Sequence, residues 1–230
     1  MTLVRPVLPG VVLGAEDNFT NQPSPRRTGL AATRPQVLEP IRRSDPAEDV
    51  WIVPRDPGSV SDGSEGVLLP PTCQLDAGVT LALLIGTPAW RVSVERALDV
   101  IAGYAVALDV VRRSVPPPQG YLARSYRTHT PLGSFSAVAP EEDAMLTFHV
   151  NGEERQRASI EEMVVSPNQL IASITARVPL SPGDVVLTGT PGGVAFDVGS
   201  GWLVAGDQLV AAISGLSDLS VSVVSEENSR

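Results

Sequence analysis

Apolar positions along this chain alternate more often than they recur at helical spacing. Short runs of Val, Leu and Ile are punctuated by Gly, Pro, Asn and Asp, the pattern of strands and turns. Residues 51–54 and 67–70 read as short strands around a turn cluster at 56–66. Residues 76–86 form a clear strand, with Asp76, Gly78 and Thr80 on one face and Ala77, Val79 and Leu81 on the other. A strand over 104–111 carries Asp109 and runs into Arg112 and Arg113. Residues 146–150, Asn151-Gly152 and 153–155 predict a hairpin. Strands also fit 7–13, 185–187, 208–213 and 219–224, the third following a Gly206-Asp207 turn. Helical spacing occurs over 93–103, with Ser93 as N-cap and Gly103 as stop, and over 159–174, where Pro167 interrupts.

These elements predict a mainly β (α+β) chain, rolled or closed and largely antiparallel, with a few short helices. Residues 1–48 read as an N-terminal arm. Within it, 20–46 is rich in turn formers without a period, as in a lid or a disordered loop. Residues 49–230 read as the main domain.

Composition narrows the partners. The 230 residues carry a net charge of −9 and only 4% aromatics. That opposes nucleic acid and anionic membrane as partners and leaves few base-stacking surfaces. All basic side chains are arginine. No apolar run approaches a membrane span and no leader opens the chain, so a cytoplasmic protein is expected. The single cysteine, Cys73, has no disulfide partner in the chain and reads as a small apolar packing residue.

The stretch richest in possible chemistry is Ser-Pro-Gly-Asp-Val-Val-Leu-Thr-Gly-Thr-Pro-Gly-Gly-Val at 181–194. A turn feeds a buried strand that breaks into a small-residue loop. Such a loop lets backbone approach a ligand at Gly189 and Gly192, and Thr190 offers a hydroxyl. The residues alone also allow a plain tight turn between core strands.

This stretch resembles the signature strand and loop of the fumarylacetoacetate hydrolase superfamily. The runs at 103–113 (GYAVALDVVRR), 132–135 (LGSF) and 151–156 (NGEERQ) fall in that family's order, so the resemblance spans about residues 50–224. It implies a mixed β-sandwich roll of the fumarylacetoacetase C-terminal-domain type, paired as a homodimer. It also implies a hard cation held by two strand glutamates and an aspartate, polarising a 1,3-dicarbonyl or 2-oxo-acid oxygen.

The chain departs from that pattern at four points. Gly78 and Thr80 stand where the glutamates belong, leaving Asp109 and the leading Asp76. Arg124 replaces the family lysine. Arg127 replaces an aspartate. No histidine lies in the first hundred residues to activate water, and Gln22 falls at that position. Hydrolysis by the family route is therefore not expected. The expectation is an enzyme using no metal and no cofactor, with Mg²⁺ a remote case, on a small-molecule enolisable dicarbonyl. Isomerisation, decarboxylation and cyclisation all remain open, with an isomerase, lyase or cyclase expected over a hydrolase. Asp109, Arg113, Arg124, Tyr126 and His129 are the candidate catalytic residues; Thr80, Gly189, Thr190 and Gly192 are the candidate substrate contacts. A catalytically silent homologue, or a metal-dependent hydrolase or decarboxylase keeping Asp76 and Asp109 as ligands, are the alternatives.

Overall fold

The computed structural model describes residues 9–21, 50–114 and 120–228. The proposed loop at 20–46 falls almost wholly outside them, as does the Pro116–Pro118 break.

Two five-stranded sheets face each other. The first contains β1 (Val12–Glu16), β2 (Trp51–Arg55), β5 (Leu75–Ile85), β6 (Ile101–Arg112) and β10 (Val185–Leu187), in the order β2-β1-β10-β5-β6. The second contains β4 (Val67–Leu69), β8 (Met145–Val150), β9 (Glu153–Ser159), β11 (Gln208–Ile213) and β12 (Leu219–Ser225), in the order β4-β12-β11-β8-β9. A two-stranded ribbon joins β3 (Val60–Ser61) to β7 (Thr130–Pro131). Most pairings are antiparallel, but β1 with β10, β12 with β4, and β3 with β7 run parallel, so the sheets are mixed.

Alternation along β5 and β6 builds the core. Val79, Leu81, Leu83, Val106 and Leu108 turn toward Leu146, Phe148, Leu209 and Val221 of the second sheet, all buried. The opposite face of the first sheet is lined by small or short residues, Ala82, Ala105 and Ala107, packed with Leu132 and Leu187. Asp76, Gly78, Thr80 and Asp109 share this second face, since Gly78 pairs with Asp109 and Thr80 with Ala107. The second sheet buries one face only, with burial alternating residue by residue along β8 and β11.

The helices differ from the sequence pattern. Residues 94–100 form a 3₁₀ segment, and Gly103 lies inside β6 opposite Leu84. Sheet pairing claims 101–103 over their weak helical period. Over 159–174, Ser159 caps a three-residue turn, and the helix proper, α2 (Pro167–Thr175), starts at the proline. Pro167 lacks an N–H and so begins a helix more readily than it continues one. A short helix, α1 (Gly120–Arg124), falls where no periodicity was legible, and α3 (Ala195–Val198) follows the glycine loop. β1 lies within the proposed arm yet sits between β2 and β10. The hairpin turn is as expected, with Asn151 and Gly152 both at positive φ (54° and 82°).

Candidate active site

The signature loop is fastened from three sides. The Asp184 carboxylate accepts from the Ser181 N–H at 2.7 Å and the Val11 N–H at 2.9 Å, tying the turn to the entry of β1. Buried Asn18 donates to the Thr188 carbonyl at 2.7 Å and the Val165 carbonyl at 3.0 Å, and accepts from the Val165 N–H at 2.8 Å. Gly189 passes so close to this clasp that a Cβ would lie 3.1 Å from that of Asn18, at φ 103°. Only glycine takes that conformation without strain. Gln156, reaching across from the second sheet, accepts from the Val79 N–H at 2.8 Å and donates to Thr190 Oγ1 at 3.0 Å and the Pro191 carbonyl at 2.6 Å.

These fastenings place Thr190 on the wall of a small cavity of about 50 Å³ between the ends of β1, β5 and β6. Glu16, Asp17, Asp76, Asp109 and Asp197 line it, with Arg113 and Arg124. Asp109, buried, accepts from Arg55 Nη1 at 2.8 Å, and Arg124 Nε stands 3.6 Å away. Arg124 also pairs with Glu16. Burial alone would raise the Asp109 carboxyl, but the Arg55 and Arg124 guanidiniums outweigh it and hold it well below the usual carboxylate range. Burial would likewise lower Arg124, yet Glu16 and Asp109 raise it, so both members of the cluster stay charged. Asp76 is fully engaged. It accepts from the Ala77, Ala195 and Phe196 N–H groups at 2.9–3.2 Å and from Arg113 Nε at 3.1 Å. Arg113 stacks over the Phe196 ring at 4.7 Å. Asp197 behaves oppositely to Asp109: burial raises its carboxyl.

The candidate residues therefore divide. Asp109, Arg113, Arg124 and Thr190 converge on the cavity. Thr80 stands behind the loop, its hydroxyl accepting from the Gly189 N–H at 3.2 Å. The Gly192 N–H is engaged by Asn21 at 3.0 Å, and Gly192 does not line the cavity. Tyr126 and His129 do not line it either. Tyr126 donates to Glu226 at 2.5 Å. His129 is buried against the Leu68 carbonyl at 2.9 Å, and burial lowers its pKa to about 4. Arg127 pairs with Glu65 on the surface. Missing from the candidate set were Arg55, Glu16, Asp17 and Asp197. The β1–β2 pairing sets Arg55 opposite Val12, from where its guanidinium lies over Gly14 of the strand that ends at Glu16 and leads into Asp17. Asp197 follows the recognised loop closely, and that proximity is the one signal the sequence carries for it.

A model of the fumarylacetoacetate (FAA) hydrolase C-terminal family matches residues 32–224. The chain belongs to this family. Among similar proteins, a fumarylpyruvate hydrolase from Ralstonia sp. is 29% identical over 193 residues, 80% of this chain and 96% of its own. A mitochondrial oxaloacetate tautomerase, FAHD1 of Arabidopsis thaliana, is 35% identical over 66% of this chain and 70% of its own. A solved 2-hydroxyhepta-2,4-diene-1,7-dioate isomerase from Mycobacterium marinum superimposes with a TM-score of 0.77 at 26% identity, covering 96% of this chain and 77% of that one. The maleylpyruvate hydrolase of Sphingobium sp. SYK-6, solved in complex with manganese(II) ion and pyruvate, gives 0.74 at 25% identity, covering 95% and 71%.

That last complex corrects the expectation of a cofactor-free scaffold: a member of this family holds a divalent cation together with a 2-oxo acid. The residues that the family resemblance would assign to such an ion are engaged as follows in this chain. A Cβ added at Gly78 would lie 2.1 Å from Thr190 Oγ1 and 3.0 Å from the Gln156 amide, so no side chain fits there without displacing them. Thr80 offers only a hydroxyl, turned to Gly189. Asp76 spends both oxygens on N–H donors and the Arg113 guanidinium, and Asp109 spends Oδ1 on the Arg55 and Arg124 guanidiniums. Among the described residues, no group of three or more His, Cys, Asp or Glu side chains is placed to hold a metal ion. Nor is any described helix long and apolar enough to cross a membrane.

Proposed function

We propose that this member of the family is an isomerase, interconverting the keto and enol forms of a small dicarbonyl acid that carries one carboxylate. The observation that carries this reading is the meeting of Arg113, Arg124, Thr190 and Asp197 on one small cavity. At roughly 10–15 Å³ per water, the cavity of about 50 Å³ has room for a 2-oxo-acid head and little more.

Each wall residue has a task it can perform in place. Arg113 and Arg124 are planar donors suited to a carboxylate or a developing enolate oxygen. Thr190 Oγ1 already accepts from Gln156, so its own proton is available to a substrate carbonyl. Asp109 is held too acidic to exchange protons and serves instead to fix Arg124. Asp197, raised by burial, is the better proton carrier. Its carboxylate removes the proton from the carbon between the carbonyls. The C–H electron pair forms the C=C bond while the carbonyl pair moves onto oxygen beside the guanidinium. Return of the proton to that oxygen completes the enol and restores the carboxylate.

Charge selects among substrates. Four carboxylates (Glu16, Asp17, Asp76, Asp109) face three arginines (Arg55, Arg113, Arg124), with Asp197 as a fifth acid. A monoanion enters such a site at less electrostatic cost than a dianion such as oxaloacetate. The relatives named as tautomerases and isomerases support the reaction class, and the family resemblance supports a homodimer. The test follows the ultraviolet absorbance of enolised 2,4-dioxopentanoate, with Mn²⁺ present and with chelator. Faster decay of the enol with this chain, and a smaller acceleration for oxaloacetate, is the expected result. No acceleration in either arm would favour the silent-homologue reading.

A further inference from the structure

The alternation that puts Asp109 and Gly78 on one face of the first sheet puts Leu81 and Tyr104 on the other. Under that second face lies a chamber of about 510 Å³, ten times the volume of the carboxylate–arginine cavity and within the usual range for small-molecule pockets. Leu81, Tyr104, Ile160 and Met163 line it, with Leu98 at its edge. Tyr104 is 8% exposed, and its hydroxyl has no hydrogen-bond partner among the described residues. A buried phenol ordinarily finds one. Burial raises its pKa, so the hydroxyl keeps its proton. Glu141, Glu142 and Glu161, all exposed, stand among the lining residues, and none of the described lining residues is basic.

We infer that this chamber is a binding site for a small organic cation, an amine on an apolar body. The apolar body packs against Leu81, Ile160 and Met163 and its ammonium meets the three glutamates. The chemistry excludes the other classes. An anion would enter against three like charges, and a purely apolar ligand would leave the Tyr104 hydroxyl unmatched. A second copy of this acidic chain, at net charge −9, would bring like charge to the same mouth.

The site is separate from the proposed isomerase cavity, so its test does not depend on turnover. The probes are 2-phenylethylamine, 2-phenylethanol and phenylacetate, titrated calorimetrically into the full chain. The amine is expected to bind one per chain, about 10-fold tighter than the alcohol, the size expected when several exposed charges each contribute modestly. Phenylacetate is expected to bind weakest. A Glu141→Gln/Glu142→Gln/Glu161→Gln variant should lose that 10-fold preference and its salt dependence. Tyr104→Phe should weaken the amine about 3- to 10-fold, the loss of one hydrogen bond, with an unchanged melting curve. Equal affinity for the three probes, or an unaltered amine affinity in the triple variant, would overturn the assignment. So would absent amine binding combined with a change in sedimentation of the triple variant, which would give the face to a second copy.

Discussion

Gly78 offers a direct test of how the site is built. The space for any side chain there is taken: an added Cβ would approach Thr190 Oγ1 to 2.1 Å and both polar atoms of the Gln156 amide to 3.0 Å. Ordinary contact begins near 3.4 Å, so Gly78→Ala forces more than an ångström of movement. Overpacking of this kind costs about 1–3 kcal/mol. The easiest relief rotates Thr190 and breaks its 3.0 Å bond from Gln156, a further loss of about 1 kcal/mol. Against this, alanine restricts the unfolded chain and returns about 0.4–1 kcal/mol. The net expectation is a destabilisation of about 1–3.5 kcal/mol.

The cause is isolated by repeating the change where Oγ1 is gone. In a Thr190→Ala background the severe contact disappears and only the tight approach to Gln156 remains. Gly78→Ala should then cost less by at least about 1 kcal/mol, a coupling typical of residues in contact. Urea unfolding of the four proteins at one fixed concentration measures this from the midpoints, with unchanged slopes confirming a common unfolding reaction. If Gly78→Ala costs the same in the native and the Thr190→Ala backgrounds, the glycine is not there to admit the threonine, and this packing account fails.

Three further outcomes are expected. Arg55→Met strands the buried Asp109 carboxylate with only the 3.6 Å contact to Arg124, and should lower stability by about 3–5 kcal/mol; Arg55→Met/Asp109→Leu should recover much of it, and a loss below about 1 kcal/mol in the single variant would refute the pairing. His129 is held at about 4 against 6.5 unfolded, so the unfolded chain binds the proton first: stability falls as pH drops through that window, by about 3 kcal/mol at ~1.36 per pH unit. His129→Gln should flatten the midpoint between pH 7 and pH 4 in thermal melts, leaving the separate loss from Asp109, which sets in only below its ordinary value of 3.8. Asp197→Asn should reduce isomerisation by at least about 100-fold, within the range for a positioned acid–base group, while leaving the melting temperature within a few degrees; an unchanged rate would remove Asp197 from the reaction.

Much of the fold was readable because strands announce themselves locally. The alternation over 76–86, the Asn151-Gly152 turn and the Pro-Gly-Asp entry to β10 each depend on residues close together in sequence. The helices were less legible. Val94–Val100 has helical spacing, yet sheet pairing directly after it decides the backbone, and α1 is five residues long, too short for a period. The site divides along the same line. Asp109, Arg113 and Thr190 belong to runs with recognisable order. Arg55 and Glu16 enter only through the β1–β2 pairing, from segments far apart in the chain, and nothing in either segment advertises a partner. His129 and Tyr126 were attractive by chemical type, but their partners, a Leu68 carbonyl and Glu226, lie far away in the chain.

Asp76 shows how one carboxylate can hold several elements of the site together. It lies on the strand face, in register with Val111 of β6. Its two oxygens receive the N–H groups of Ala195 and Phe196 and the Arg113 guanidinium. A carboxylate at the start of a short helix satisfies donors that the helix itself leaves open. Here that contact fixes α3 across the cavity, sets Phe196 under Arg113, and brings Asp197 to the wall one residue later. Replacing Asp76 with Ala would therefore release α3 and Arg113 together, so its effect on turnover should exceed that of Arg113→Ala. Asp76→Asn keeps one acceptor oxygen and should fall between the two; equal rates for Asp76→Ala and Arg113→Ala would show that Asp76 acts on Arg113 alone and that α3 needs no anchor.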